Sequence, residues 1–154
     1  MKTIMLIAAA TLIAAPVLAQ TAEPATPPFN LQMPELEQVV RDPTCGGKTA
    51  LQEQGVFCVT TTQAAIGAVV DAYSAAFGQQ DWLAAGGSDN LVVYVKRREG
   101  GGCDGFQMLA FADQNRLPAP GAPAWLAFAV IPGDVCASSP STPAQEAGAA
   151  ASPQ

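Results

Sequence analysis

The sequence predicts an α+β domain: an antiparallel meander of three to four strands with one main helix packed on one face and a short N-terminal helix, stabilised by two disulfides. Three observations lead to it. Across residues 60–95 the apolar spacing, a capping threonine and the turn residues agree on one helix feeding a sheet. Downstream, the apolar runs 91–96, 106–111 and 124–131 are separated by glycine- and proline-rich turns, an arrangement that favours antiparallel neighbours. Finally, four cysteines stand behind an export signal, so they are expected in an oxidising compartment.

In chain order, Met1-Lys2-Thr3, the apolar run 4–17 and the small-residue site Val17-Leu18-Ala19 read as a secretory signal peptide cleaved after Ala19. Pro16 interrupts the run, and no later segment reaches the ~18 apolar residues of a membrane-spanning helix. Gln20, not a cysteine, follows the cleavage point, so a lipid anchor is not indicated and the mature chain is expected to be soluble, periplasmic or secreted. Cleavage removes one of seven cations, leaving six against thirteen acids and a net charge of −7. An acidic surface without a basic stripe argues against nucleic acid and anionic membranes as partners.

Residues 20–33 carry proline and threonine without periodicity and read as a flexible N-terminal arm. Residues 137–154 form an Ala/Ser/Pro-rich tail with no bulky apolar side chain to offset the entropy of ordering it, so disorder is expected. A single domain spans 34–136. It opens on a short helix over 34–41, with Pro34 at its first position, Glu35 and Glu37 near its start and Arg41 in its last turn. A turn at Cys45-Gly46-Gly47, a polar segment 48–54 and an extended segment 55–59 follow.

The main helix is expected over 62–77, with Ile66, Val69, Val70, Tyr73 and Phe77 on one face and alanines on the other. Gly78 suits its C-terminal stop. Trp82-Leu83 is a short extended piece, 86–90 a turn, and 91–96 the clearest strand. There Leu91, Val93 and Val95 face one way, and Val92, Tyr94 and Lys96 the other. Strands 106–111 and 124–131 complete the meander.

That topology selects among the three pairings open to four cysteines. Cys103 and Cys136 fall at the same end of the sheet, whereas Cys58 precedes the helix and lies a helix length away, roughly 24 Å at 1.5 Å per residue. A disulfide spans only about 4.4–6.8 Å between Cα atoms, so Cys45 is predicted to pair with Cys58 and Cys103 with Cys136. A zinc site is disfavoured because the chain has no histidine and no C-x2-C pair.

The absence of histidine also removes the triad and Cys-His chemistries. Among carboxylates, Asp104 and Asp113 bracket one strand and stand too far apart for a glycosidase pair, which needs about 5–9.5 Å. Asp89 and Asp113 could meet at the other end of the sheet. No motif indicates a catalytic residue, a metal ligand or a cofactor. Lys96-Arg97-Arg98 reads as a charged strand end that discourages edge pairing or as a small anion-binding patch. A sheet covered by one helix keeps a second face, and Tyr94, Trp82 or Trp125 exposed there would form an aromatic interaction surface with Lys96, Arg97 and Arg98. The functional expectation is an exported, soluble, non-catalytic module that binds a protein or an envelope polysaccharide. The alternatives are a small periplasmic inhibitor or accessory subunit acting through loop 99–105, and a carboxylate-dependent hydrolase.

Overall fold

The computed structural model describes residues 25–137; the expected signal peptide with its Ala19 cleavage site, and the tail beyond Ala137, lie outside them. Six strands, β1 (Val40–Arg41), β2 (Phe57–Thr62), β3 (Leu83–Ser88), β4 (Leu91–Arg97), β5 (Cys103–Ala112) and β6 (Pro123–Ile131), form one sheet in the order β1-β2-β6-β5-β4-β3. All neighbours are antiparallel. Two α-helices, α1 (Thr49–Glu53) and α2 (Ile66–Gly78), and 3-10 turns at Pro28–Asn30 and Cys45–Gly47 complete the chain.

The sheet therefore has six strands, not three to four. Residues 86–88, read as a turn from their glycines, belong to β3, and the hairpin tightens into the two residues Asp89-Asn90. The extended segment leading to the helix does not stand alone. As β2 it pairs with β6 along its whole length, from Phe57 opposite Phe128 to Thr62 opposite Pro123. That pairing carries Thr60, Thr61 and Thr62 into the strand, so α2 begins at Ile66 and not at residue 62.

The short helix expected over 34–41 is absent. Two turns gain too little from their own hydrogen bonds to persist in water. Instead Leu36 and Val39 pack against the core, and Val40 and Arg41 pair with Thr60 and Val59 as β1. Residues 28–33 of the expected arm are likewise docked. Leu31 is buried in the core, Phe29 lies 5.1 Å from the Trp82 ring, and Gln32 and Gln80 exchange two hydrogen bonds of 2.9 Å.

Period-two alternation assigns the two faces of the sheet. Phe57, Val59, Leu126, Phe128, Phe106, Met108, Val92 and Tyr94 point to the helix face, where Val69, Tyr73 and Phe77 of α2 meet them. Phe77 is fully buried and stands edge-on to Tyr94, Phe106 and Phe128, at 5.3, 5.3 and 6.0 Å between ring centres. The disulfides are Cys45–Cys58 and Cys103–Cys136, with Cα separations of 5.3 and 5.2 Å.

One buried polar atom lacks a partner among the described residues. Thr61 Oγ1 points into the helix face of β2 with no hydrogen bond. Thr61→Val keeps the shape and removes the orphan hydroxyl, so it is expected to stabilise the protein by about 1 kcal/mol in urea unfolding. The disulfides close separations of 13 and 33 residues. On the loop-entropy account their separate removal costs about 3 and about 3.7 kcal/mol, so Cys103→Ser with Cys136→Ser should lower the denaturation midpoint further than Cys45→Ser with Cys58→Ser.

Candidate functional site

Among the described residues, the face of the sheet turned away from α2 is covered only at its margins. At the β2–β6 side the loop carrying Cys45 and α1 folds over it, burying Cys45, Val56, Cys58 and Ala127 together, with Leu51, Leu109 and Phe111 packed alongside. Asp42 anchors that loop. Its carboxylate accepts from the Thr44 backbone N–H at 2.8 Å, the Thr44 hydroxyl at 2.6 Å, the Gly46 N–H at 2.9 Å and the Trp125 indole N–H at 2.7 Å. Burial pushes this carboxyl up, but the four donors outweigh it and hold Asp42 below the usual carboxylate range. Gly46 sits at φ +63° with its Cα against the Trp125 ring, where a Cβ would come within 2.7 Å of the indole.

The Cys103 end is closed by the chain after β6. Val135 lies on Gly105, which has no room for a Cβ. Asp134 accepts from the backbone N–H groups of Cys103 at 2.8 Å and Cys136 at 3.0 Å, and those bonds hold its carboxyl below the ordinary range. Between these two covers lies an open apolar strip. Leu91, Val93 and Val95 of β4 and Leu109 and Phe111 of β5 are partly exposed, Gln107 interrupts them, and Leu83 of β3 is 68% exposed at the rim. With neighbouring strands about 4.8 Å apart and ~3.3 Å per residue, β3, β4 and β5 over seven residues give a footprint of roughly 330 Å², Gln107 included. That footprint is in the range of the largest apolar patch on an ordinary monomer, which is often functional.

The expected aromatic surface is redistributed by the register. Tyr94 and Trp82 are buried on the helix face, so neither belongs to a free surface. The Tyr94 hydroxyl lies 2.6 Å from Ser74 Oγ, burial pushes its pKa up, and Trp82 stands edge-on to Phe106 at 4.8 Å. Trp125 does lie on the free face, but its indole N–H is committed to Asp42 and its ring stacks on Phe111 at 5.7 Å. Phe111, which the sequence places on a strand but not among the expected surface aromatics, is partly exposed on that face, as Trp125 is. Its place is fixed by its pairing with Trp125 across β5 and β6.

The three consecutive cations do not form a patch. Lys96 points to the helix face, donates to the Gln80 carbonyl at 2.8 Å and lies 3.7 Å from Asp81. Arg98 is held between Asp104 and Asp134 at 3.4 and 3.7 Å. Arg97, alternate to Lys96, projects from the free-face side and is exposed. No group of three or more metal-ligating side chains occurs among the described residues. Asp113 is 3.4 Å from Arg116 and accepts from the Asn115 N–H. No family model, curated protein or solved structure matches this chain.

The depressed Asp42 carboxyl has a pH consequence of definite sign. A carboxylate whose folded pKa lies below its unfolded value contributes stability above that unfolded value, about 3.9, and loses it as pH falls through the lower folded value. Asp42→Asn is therefore expected to lower stability at neutral pH and to flatten the loss of stability below about pH 4, as read by thermal melts from pH 7 to 2.

Proposed function

We propose that the chain is an exported, non-catalytic module that binds a macromolecular partner, a protein or an envelope polysaccharide, through the free face of its sheet. The observation that carries this reading is the strip of Leu91, Val93 and Val95, bordered by Leu109 and Phe111 at the edge of the α1 cover, which stays partly exposed among the described residues. A sheet of this size ordinarily buries such a strip, and leaving it in contact with water costs roughly 25 cal/mol per Å². Two disulfides fit an oxidising compartment, and no helix among the described residues is long and apolar enough to cross a membrane. Periplasmic or secreted location after cleavage at Ala19 is the reading the leader supports.

The alternatives have less support. An inhibitor acting through loop 99–105 needs a side chain to insert, and between Arg98 and Cys103 that loop offers only Glu99 and three glycines. A hydrolase needs a carboxylic acid kept protonated near neutral pH, whereas the Asp42 and Asp134 carboxyls are pushed down.

The test uses the mature chain as bait for envelope extract beside the Val93→Thr, Val95→Thr double variant, which keeps β-branched shape and leaves the strand intact. Partners captured by the native chain should bind the variant about tenfold more weakly, ~1.4 kcal/mol. Equal capture by both would remove the free face as the binding surface.

A further inference from the structure

The two edges of the sheet are built differently. At one edge β1 has two residues, includes the charge of Arg41 and is followed at once by Asp42-Pro43, so it offers little backbone for pairing. At the other edge β3 runs for six residues, all exposed, with neither charge nor proline. Its only strand neighbour is β4, so its outer N–H and C=O groups pair with no strand among the described residues. Sheets guard such edges with short strands, charges, proline or a bulge, and β3 has only the bulge between Ala84 and Gly86. Its small side chains present no bulk to a strand laid alongside. The exception, Leu83, carries the apolar free face out to the edge, since it pairs with Val95.

Charge at the two ends of β3 decides what can occupy it. Asp81, with its side chain 87% exposed, precedes the strand, and the exposed Asp89 follows it. Pairing of β3 with a second copy, antiparallel and along the full strand, would set Leu83 opposite Ser88. Asp81 of each copy would then lie within one residue of facing Asp89 of the other, on chains that already carry a net charge of −6. Like charges opposed across strands are destabilising, and the 3.7 Å pair with Lys96 offsets Asp81 only in part.

We propose that β3 accepts, as a seventh strand, an extended segment of another protein with apolar residues at alternate positions and a basic residue at each end to meet Asp81 and Asp89. This rests on the binding-module reading and names the class of partner. Main-chain hydrogen bonds along β3 supply the affinity, alternate side chains on the free-face side stand beside Leu83, and the terminal cations fix the register.

The mature chain, residues 20–154, is titrated with a synthetic peptide of alternating valine and threonine carrying a lysine at each end. Control peptides carry glutamate at both ends or a central proline, and amide hydrogen exchange is followed throughout. The lysine-ended peptide should protect amides of 83–88 and bind about tenfold more tightly than the glutamate-ended one, two exposed charge pairs at work. The proline peptide should not protect them. Asp81→Asn with Asp89→Asn, which keeps the shape and suits the positive φ of Asp81, should abolish the preference without changing the melting temperature by more than a few degrees. Absence of peptide-induced protection at 83–88 overturns the proposal, as does protection that rises with protein concentration alone alongside a dimer in sedimentation, which would make the occupant a second copy. Protection confined to Val93, Val95 and Leu109 overturns the edge site while leaving the free-face reading intact.

Discussion

Phe77 is the residue on which the arrangement of this fold depends. It sits at the last turn of α2 and touches rings from three strands, Tyr94 of β4, Phe106 of β5 and Phe128 of β6. Edge-to-face contacts of this kind have a preferred geometry, so the helix cannot slide along the sheet without disrupting all three. With Tyr73 one turn earlier set edge-on to Phe128 at 5.5 Å, the helix is fixed in both translation and rotation. One helix of 13 residues is then spent on one face. At about 1.5 Å per residue it is roughly 20 Å long, enough for one side of the central strands and nothing more.

What happens on the other face follows from that shortage. Its covers are loops with few apolar residues of their own: Leu51 and Val56 at one margin, Val135 at the other. Such loops bury too little surface to hold themselves down, and each is tied by a disulfide and by a carboxylate that accepts several hydrogen bonds. Asp42 and Asp134 do the same work at opposite margins. Both keep depressed pKa values because several donors converge on one carboxylate. Among the described residues the covers stop where the ties stop, so the middle of β4 and β5 stays partly exposed.

The parts of the fold that were legible in the sequence are the local ones. The core face of α2, the strands 91–96, 106–111 and 124–131, and the disulfide partners all follow from periodicity, turn residues and chain distance, and α2 does present Val69, Tyr73 and Phe77 to the sheet. The strand count was not legible, because it depends on a non-local choice. β2 finds its partner 65 residues later in β6, counted from Thr60 to Trp125, and no local pattern records that pairing. Likewise Gly86 and Gly87 carry a turn signature, yet they continue an edge strand, where glycine's lack of a side chain costs no packing. Residues 34–41 show helix-start chemistry, but that preference of a few tenths of a kcal/mol per residue loses to burial of Leu36 and Val39.

The candidate site was less legible for a related reason, since in a strand adjacency in sequence separates residues in space. Lys96, Arg97 and Arg98 look like one basic cluster when written out, but period-two alternation sends Lys96 and Arg97 to opposite faces, and the hairpin turns Arg98 toward Asp104 and Asp134. The same alternation decides between Tyr94 and Val93. Both sides of β4 are apolar, and the structure sets the larger ring on the helix face, where Tyr94 stands edge-on to Phe77 at 5.3 Å. The smaller valines are left outward, Val93 opposite Gln107 and Val95 opposite Gly105, with Leu91 opposite Leu109. Among the described residues the free face thus combines branched aliphatic side chains with the partly exposed rings of Phe111 and Trp125, and the carboxylates at its two margins, Asp42 and Asp134, already hold backbone and indole donors.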